Sequence, residues 1–219
     1  MSKKTAKKIV YQLQSEFKAK TQNQAEYVRS IVENDVTFCY GPPGCGKSAV
    51  SVGLACSWLA QEKISKIVIT RPIVEVGKKG LGYLPGDMLE KVHPYLIPLL
   101  DEMEKYFSPF TIDELLHKGI IDVVPLEYMR GRNFHNSFMI LDEAQNATYD
   151  QIKMFLTRIG QESRAVVNGD IGQSDLGEKD RAMANIMQRL ENLNGVGIVE
   201  LTEKDILRSG IIARILSRL

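Results

Sequence analysis

The sequence predicts an α/β fold in which a mostly parallel β-sheet is covered by helices on both faces. From residue 36 onward, short apolar runs alternate with helical stretches, and a glycine-rich octapeptide separates the first run from the helix that follows. Buried strands joined by helices are typical of parallel sheets. The predicted strands are Val36–Tyr40, Lys66–Thr70, Ile120–Val124, Ser137–Leu141, Arg164–Asn168 and Gly197–Leu201, and the predicted helices cover residues 46–61, 88–107, 149–159 and 178–192.

The composition is that of a globular protein. The 219 residues fit one domain spanning 1–219, and the 44% hydrophobic and 25% charged residues exclude a disordered chain, a collagen and a disulfide scaffold. No run approaches the roughly 18 apolar residues of a membrane helix, and the basic start lacks the apolar core of an export signal, so we expect a cytoplasmic protein. Cys39, Cys45 and Cys56 lack metal-ligand spacing, which predicts free thiols. The net charge of +1 does not indicate a nucleic-acid partner.

Two segments depart from the alternating pattern. Residues 1 to about 30 read as helical and polar, and the basic, partly disordered stretch 1–20 is interpreted as a solvated terminus in preference to a nucleic-acid arm. Residues 71–136 are predicted to form an irregular insertion, because they contain a stretch rich in Gly and Pro and a helix interrupted by Pro94 and Pro98. Long irregular insertions in compact folds are usually functional or mobile.

The octapeptide GPPGCGKS, residues 41–48, matches the phosphate-binding loop pattern G-x-x-x-x-G-K-[ST] in its required strand–loop–helix context. Glycines let the backbone curl so that N–H groups surround an anion, and the helix N-terminus adds positive charge. Lys47 would contact the β- and γ-phosphates, and Ser48 would bind Mg²⁺. The predicted nucleotide-binding residues of the loop are Gly41, Pro42, Pro43, Gly44, Cys45, Gly46, Lys47, Ser48 and Ala49.

Two carboxylates follow the apolar run FMIL. Asp142 and Glu143 stand at the carboxyl end of the predicted strand, which is the edge where open α/β sheets bind ligands. We predict that Asp142 supports Mg²⁺ and that Glu143 polarises an attacking water. The alternative is that the two acids cap the following helix.

A third apolar strand ends in Asn168, Gly169 and Asp170, with Gln173 one turn later. A polar side chain here could contact a γ-phosphate and report its presence. Alone, this pattern indicates only a strand followed by a turn, and the functional interpretation gains weight from the other two motifs.

Together these motifs resemble the PhoH-like ATPases. The similarity spans residues 21–216 and is carried by TQNQAEYV (21–28), GPPGCGKS (41–48), TRPIVEVGKKGLGYLPGDMLEKVHPYLIPLLD (70–101), EYMRGRNFHNSFMILDEAQNAT (127–148), NGDIGQSDL (168–176) and DILRSGIIARIL (205–216). It implies a P-loop NTPase with a single RecA-like domain related to superfamily-one helicase cores. Lys78 and Lys79 replace an acid that is usual in the family, and Ser209 replaces a histidine.

The resemblance also suggests roles for individual side chains. Gln24 would contact adenine, with a surface glutamine as the alternative. Gln173 would sense the γ-phosphate, and Arg208, in preference to Arg214, would act as an arginine finger, with ordinary helix-end cations as the alternative. For Arg71, contact with phosphate or nucleic acid competes with a structural ion pair. Arg130 and Arg132 are candidates for a nucleic-acid or subunit contact, in preference to a solvated turn. Tyr83, Tyr95 and Tyr128 could stack on bases, but core packing is the favoured interpretation for each.

These predictions converge on an Mg²⁺-dependent ATPase that uses Lys47, Glu143, Gln173 and Arg208. Because the chain has one phosphate loop, a neighbouring subunit would donate the finger, so we expect a ring-like homo-oligomer, a hexamer by analogy with related ring ATPases. The resemblance implies coupling to single-stranded RNA or DNA, with RNA preferred. The alternative is a nucleotide-gated binding or assembly module for a partner protein, with slow hydrolysis and no helicase activity.

Overall fold

The computed structural model describes residues 11–72, 97–171 and 182–206. Within these ranges six strands form one sheet in the order β3-β2-β4-β5-β1-β6, and all neighbouring strands pair in parallel. The strands are β1 (Val36–Tyr40), β2 (Lys66–Thr70), β3 (Ile121–Val123), β4 (Ser137–Leu141), β5 (Arg164–Gly169) and β6 (Val196–Glu200). The predicted α/β class with a parallel sheet is confirmed.

Helices cover both faces of the sheet, as predicted. They are α1 (Gln22–Glu33), α2 (Lys47–Ala60), α3 (residues 97–103), α4 (Pro109–His117), α5 (Tyr149–Leu156) and α6 (Ala182–Leu190). Side chains of β4 alternate between two buried apolar clusters: Phe138 and Ile140 join the cluster formed with α1–α4, while Met139 and Leu141 join the cluster formed with α5 and α6. Among the described residues, no helix is long and apolar enough to cross a membrane.

The insertion predicted to be irregular is largely regular in its described part. Residues 97–136 contain α3, α4 and β3, and β3 extends the sheet by pairing with β2. The prediction missed α4 although its start is well marked: the Ser108 hydroxyl accepts a hydrogen bond from the Thr111 N–H (3.1 Å), and Pro109 occupies the first helical turn.

The predicted helix over residues 1 to about 30 is wrong for residues 11–20, which are irregular. They run across the outside of the first cluster, where the ring of Phe17 lies edge-on to that of Tyr106, with centroids 6.4 Å apart. Two hydrogen bonds fix this path, from Gln14 N to the Tyr106 carbonyl (2.7 Å) and from Ser15 Oγ to the Lys105 carbonyl (2.5 Å). The polar pattern of this stretch reflects its exposed side chains and does not indicate helix.

A buried carboxylate ties the start of α1 to the chain after β6. Asp205 is 2% exposed and accepts hydrogen bonds from Thr21 Oγ1 (2.5 Å), Asn23 Nδ2 (2.9 Å) and the Thr202 N–H (2.7 Å). Burial by itself raises the pKa of Asp205, but the hydrogen bonds from Thr21, Thr202 and Asn23 outweigh it and lower the pKa below its ordinary value. The ionised form therefore stabilises the fold.

Replacing Asp205 with Asn should lower the free energy of unfolding by about 1.5–3 kcal/mol near neutral pH, because an amide cannot accept all of these hydrogen bonds. Since the folded-state pKa is depressed, the stabilisation is complete above the ordinary aspartate pKa of about 3.9 and is lost as the pH falls through the folded-state value. Urea unfolding at several pH values should show the difference between wild type and Asp205→Asn narrowing in acid. Asp113→Asn on the exposed face of α4 is the control. A difference that stays constant down to acid pH would contradict this account.

Candidate active site

The loop between β1 and α2 has the curled backbone expected of an anion cradle. Gly41, Gly44 and Gly46 all have positive φ angles, and Gly46 stands immediately before α2 at φ 100°. A Cβ at Gly41 would lie 2.1 Å from the Leu201 carbonyl oxygen, so the loop is pressed against the chain that follows β6. Glycine is required at this position by space as well as by backbone conformation.

Lys47 begins α2 and folds back over this loop. Its ammonium donates to the carbonyl oxygens of Gly41 (2.5 Å) and Pro42 (2.9 Å) and lies 3.7 Å from Cys45 Sγ. The Cys45 side chain is buried, and burial raises the pKa of its thiol even though Lys47 opposes the shift. Cys45 is therefore a small apolar filler, held in the unreactive thiol form.

Asp142 is the point at which three elements meet. The register of β2 and β4 pairs Thr70 with Leu141, so Arg71 and Asp142 leave the sheet side by side. Arg71 donates to Asp142 Oδ2 through Nε (3.0 Å) and Nη2 (2.5 Å), and Ser48 Oγ on α2 donates to Oδ1 (2.9 Å). Of the two alternatives for Arg71, the structure contains the ion pair.

This arrangement fits a magnesium ion. The hydroxyl of Ser48 and the carboxylate of Asp142 are oxygen donors of the kind that Mg²⁺ binds through one or two protein ligands. The Asp142 side chain is only 3% exposed, and the Arg71 guanidinium compensates its negative charge. A cation beside this carboxylate is thus an electrostatic requirement of the site.

Glu143 stands next to Asp142 in a left-handed backbone conformation, φ 57° and ψ 39°, and its side chain is exposed. Such strained conformations are concentrated at functional sites. Gln145 Nε2 donates to Glu143 Oε2 (2.6 Å), while Gln145 Oε1 accepts from the Asp170 N–H at the end of β5 (3.1 Å). The carboxylate is therefore oriented by a side chain that the sequence did not identify, because the contact depends on the left-handed turn.

The helix-capping alternative for the two acids is wrong. Thr148 caps α5, in a reciprocal arrangement with Gln151: the Thr148 hydroxyl accepts from the Gln151 N–H (3.2 Å), and Gln151 Oε1 accepts from the Thr148 N–H (2.8 Å). Glu143 stands at the start of a short 3₁₀ turn, Ala144–Asn146. Its side chain makes no capping hydrogen bond to that turn, which lies within the described residues.

Gln24 contacts the phosphate loop directly. Its Nε2 donates to the Cys45 carbonyl (3.0 Å), its Oε1 accepts from the Lys20 N–H (2.9 Å), and the residue is 6% exposed. The alternative of a surface glutamine is therefore wrong, and the predicted adenine contact stays a prediction. A Cβ at Gly46 would lie 2.7 Å from Gln24 Nε2, so a larger residue there would push the Gln24 amide away from the Cys45 carbonyl.

A chain of buried polar side chains links α1 to the first turn of α2. Tyr27 Oη donates to Asn168 Oδ1 (2.5 Å), and Asn168 Nδ2 donates to Ser51 Oγ (3.0 Å). Ser51 Oγ donates in turn to the carbonyls of Lys47 and Ser48, both at 3.2 Å. Asn168 of the third motif is thus a structural bridge beneath the loop.

Eight of the predicted site residues line one cleft of about 440 Å³, whereas the described residues Gln24, Gly41, Pro42 and Cys45 do not line it. It also contains two residues, Glu102 and Lys105, that no predicted motif included. The lining residues are Pro43, Gly44, Gly46, Lys47, Ser48, Ala49, Glu102, Lys105, Asp142, Glu143 and Gly169. The structure therefore brings together the loop, the acid pair and the end of β5.

Several predicted residues lie outside the described ranges: Gln173, Arg208, Arg214, Lys78, Lys79, Tyr83 and Tyr95.

Arg132 makes contacts within its own chain. It pairs with Asp122, and its guanidinium stacks over the Phe134 ring, 4.7 Å from the ring centroid. Core packing is wrong for Tyr128, whose side chain is exposed beside the exposed Arg130.

Comparison of the sequence with known proteins identifies close relatives. The profile of the family described as "PhoH-like protein" matches residues 16–219. A PhoH-like protein of Synechocystis is 43% identical over 199 residues, covering 90% of this chain and 60% of that protein. The PhoH-like protein of Bacillus subtilis is 42% identical over 200 residues, covering 91% of this chain and 62% of that one. The chain thus spans less than two thirds of these relatives.

Solved structures support the fold. The large terminase from a thermophilic bacteriophage superposes with a TM-score of 0.60 at 12% identity, covering 90% of this chain and 50% of the terminase chain. The UvsW helicase from bacteriophage T4 gives a TM-score of 0.53 at 16% identity, covering 89% of this chain and 64% of the helicase chain. At such identities the likeness concerns architecture, and the expected P-loop NTPase fold is confirmed.

Replacing Arg71 with Gln should lower the free energy of unfolding by about 3–5 kcal/mol, because it leaves the buried Asp142 charge uncompensated. The double variant Arg71→Gln/Asp142→Asn should recover part of this loss, since no charge remains. Added Mg²⁺ should stabilise Arg71→Gln more than wild type by supplying a cation beside Asp142. Denaturant unfolding with and without Mg²⁺ measures all three effects. A double variant no more stable than Arg71→Gln would show that charge compensation is not the role of the pair.

Proposed function

The chain belongs to the PhoH-like protein family, and we propose that it is an Mg²⁺-dependent ATPase. The observation that carries the proposal is the 2.9 Å hydrogen bond between Ser48 Oγ and Asp142 Oδ1, with Glu143 on the wall of the same cleft. It joins the phosphate loop to the acid pair across the intervening strand β5. A hydroxyl, a metal-binding carboxylate and a second carboxylate at one loop are the parts that phosphoryl transfer to water requires.

The phosphate loop would bind the triphosphate. Lys47 now donates to two loop carbonyls, and phosphate oxygens would compete for the same ammonium with full negative charge. Backbone N–H groups around Gly44 and Gly46 and the start of α2 add donors and partial positive charge. Ser48 and Asp142 would hold Mg²⁺, which when bound neutralises charge on the phosphates.

Glu143 is the proposed general base. Its carboxylate is exposed to the cleft, and the hydrogen bond from Gln145 fixes its direction. Because Gln145 also accepts from the Asp170 N–H, movement at the end of β5 would be transmitted to the carboxylate. The predicted γ-phosphate sensor, Gln173, follows this strand end closely in the sequence.

Replacing Glu143 with Gln should lower kcat at least about 10²-fold, since a positioned general base contributes about 10²–10⁴-fold. The affinity for Mg·ATP should change less than about twofold, because binding depends on the loop and the metal ligands. Steady-state phosphate release and calorimetric titration separate the two effects. Glu33→Gln, an exposed carboxylate at the end of α1, is the matched control and should leave both unchanged. Turnover at the wild-type rate in Glu143→Gln would reject the assignment.

The proposed coupling to single-stranded nucleic acid, RNA in preference to DNA, is supported by an exposed aromatic side chain and an exposed cation in the turn after β3. Tyr128 is 54% exposed and Arg130 is exposed. They belong to the short turn after β3, and Glu127 in that turn accepts a hydrogen bond from Gln151 of α5 (2.9 Å). Helix α5 follows the acid pair in the chain. A nucleic-acid strand bound at Tyr128 would therefore be linked to the cleft through the contact between Glu127 and α5.

The proposed assembly is a ring-like homo-oligomer, and six subunits are expected by analogy with related ring ATPases. It rests on the need for a cation from a second subunit, with Arg208 as the proposed finger, and on head-to-tail interfaces that close into rings. Sedimentation tests the assembly, and a monomer with full ATPase activity would reject it.

The alternative function is a nucleotide-gated binding module. It would be distinguished by an ATPase rate that single-stranded RNA does not change.

Replacing Tyr128 with Ala should weaken binding of single-stranded RNA about tenfold and reduce its stimulation of ATP hydrolysis, because stacking on one aromatic ring contributes about 1–3 kcal/mol per base. Tyr128→Phe keeps the ring and should retain the wild-type affinity. Phe110→Ala removes an aromatic ring that is 79% exposed on α4 and serves as the control. Fluorescence anisotropy with labelled RNA gives the affinities. Equal RNA affinity in Tyr128→Ala and wild type would exclude Tyr128 from the interface.

A further inference from the structure

Two charged residues outside every predicted motif line the nucleotide cleft. Glu102 lies on α3 and Lys105 in the turn that follows it, and both share the cleft with Ser48, Asp142 and Glu143. The segment that carries them packs against α2 in the first apolar cluster and is not part of the phosphate loop. The chain therefore places a second lysine at the wall of the cleft, in addition to Lys47.

The two side chains form an ion pair of unequal exposure. Lys105 Nζ lies 2.5 Å from Glu102 Oε2, and the side chains are 61% and 14% exposed, respectively. An ammonium group has three N–H donors, and Glu102 uses one of them. The lysine is thus tethered at the cleft while most of its side chain faces solvent.

The backbone beneath Lys105 is well anchored. Ser15 Oγ donates to the Lys105 carbonyl (2.5 Å), and the neighbouring Met103 and Phe107 are fully buried. The Tyr106 carbonyl accepts from Gln14 N (2.7 Å). A lysine on a fixed backbone can reach a ligand by side-chain rotation alone, so contact with a nucleotide needs no rearrangement of the fold.

The charges of the cleft favour this contact. Among the described residues that line the cleft, Glu102, Asp142 and Glu143 supply carboxylates, and Lys47 and Lys105 supply ammonium groups. A triphosphate brings further negative charge, with the largest share on the terminal phosphate, to a wall already rich in carboxylates. Lysine is a compact cation suited to phosphate oxygens. Lys105 shares the cleft with Ser48 and Asp142, the proposed magnesium ligands, so it lies on the side of the site that the phosphates would occupy.

We propose that Lys105 is a second triphosphate-binding cation, supplied by the same chain, that contacts the terminal phosphate of the nucleotide. This inference rests on the proposed function of the cleft. Lys47 would contact both the β- and the γ-phosphate, whereas Lys105 would contact the terminal phosphate alone. Its contact would therefore distinguish a nucleoside triphosphate from the diphosphate product.

The test compares the affinities for a non-hydrolysable ATP analogue and for ADP, both with Mg²⁺, by calorimetry. Lys105→Ala should weaken binding of the analogue about tenfold and that of ADP less than about twofold. Lys118→Ala is the matched control, since Lys118 is an exposed lysine paired with Glu114 on α4, away from the cleft. Urea unfolding should confirm an intact fold, because the Lys105 side chain is mostly exposed.

The double variant Glu102→Gln/Lys105→Ala separates direct contact from charge neutralisation. If Lys105 contacts the phosphate, the selective loss persists in the double variant. If Lys105 serves only to neutralise Glu102, the double variant regains the wild-type affinity for the analogue, which overturns the proposal. Unchanged affinity in Lys105→Ala, or an equal loss for the analogue and ADP, overturns it as well. Wild-type protein that binds neither nucleotide would instead reject the proposed function.

Discussion

The buried carboxylate of Asp142 is the constraint on which the site depends. A charge that is 3% exposed must be compensated by nearby cations and donors, and here Arg71 and Ser48 provide the compensation. These three side chains come from the ends of β4 and β2 and the start of α2. Their contacts therefore fix the phosphate-loop helix relative to two strands of the sheet. A shift of one residue in the β2–β4 pairing would separate Arg71 from Asp142. The buried Asp142 carboxylate would then lack a compensating cation.

A second set of buried polar contacts extends this control to the other side of the loop. Tyr27 and Asn168 connect α1 and β5 to Ser51 on α2, and Gln24 holds the Cys45 carbonyl. Polar groups buried in this way must be satisfied together, which favours one arrangement of the core over its alternatives. The phosphate loop is consequently held from both flanks, by Asp142 on one and by α1 on the other.

The sequence predicted the sheet well because each strand is a short apolar run with clear ends. All six strands agree with the predicted ones to within one residue at each end. The loop and acid pair were predictable for the same reason, since the end of a buried parallel strand has a known position in space. Glu102 and Lys105 were not, because residues 97–107 approach α2 only through packing in the folded chain. The prediction of core packing for Tyr128 was wrong: it lies between the buried Leu126 and Met129 in the sequence, and such a position does not reveal whether the ring is buried or exposed.

The cations at the site share one property that bears on how a ligand would be bound. Lys47 is held by loop carbonyls, Arg71 by Asp142 and Lys105 by Glu102. Binding an anion is thus an exchange of partners, and its free energy is the difference between the new contacts and those already present. Phosphate alone would compete with Asp142 for Arg71, whereas a phosphate that arrives with Mg²⁺ supplies Asp142 with a replacement cation. Under the proposed function, this exchange makes nucleotide and metal mutually dependent, and the coupling originates in the same buried carboxylate that organises the fold.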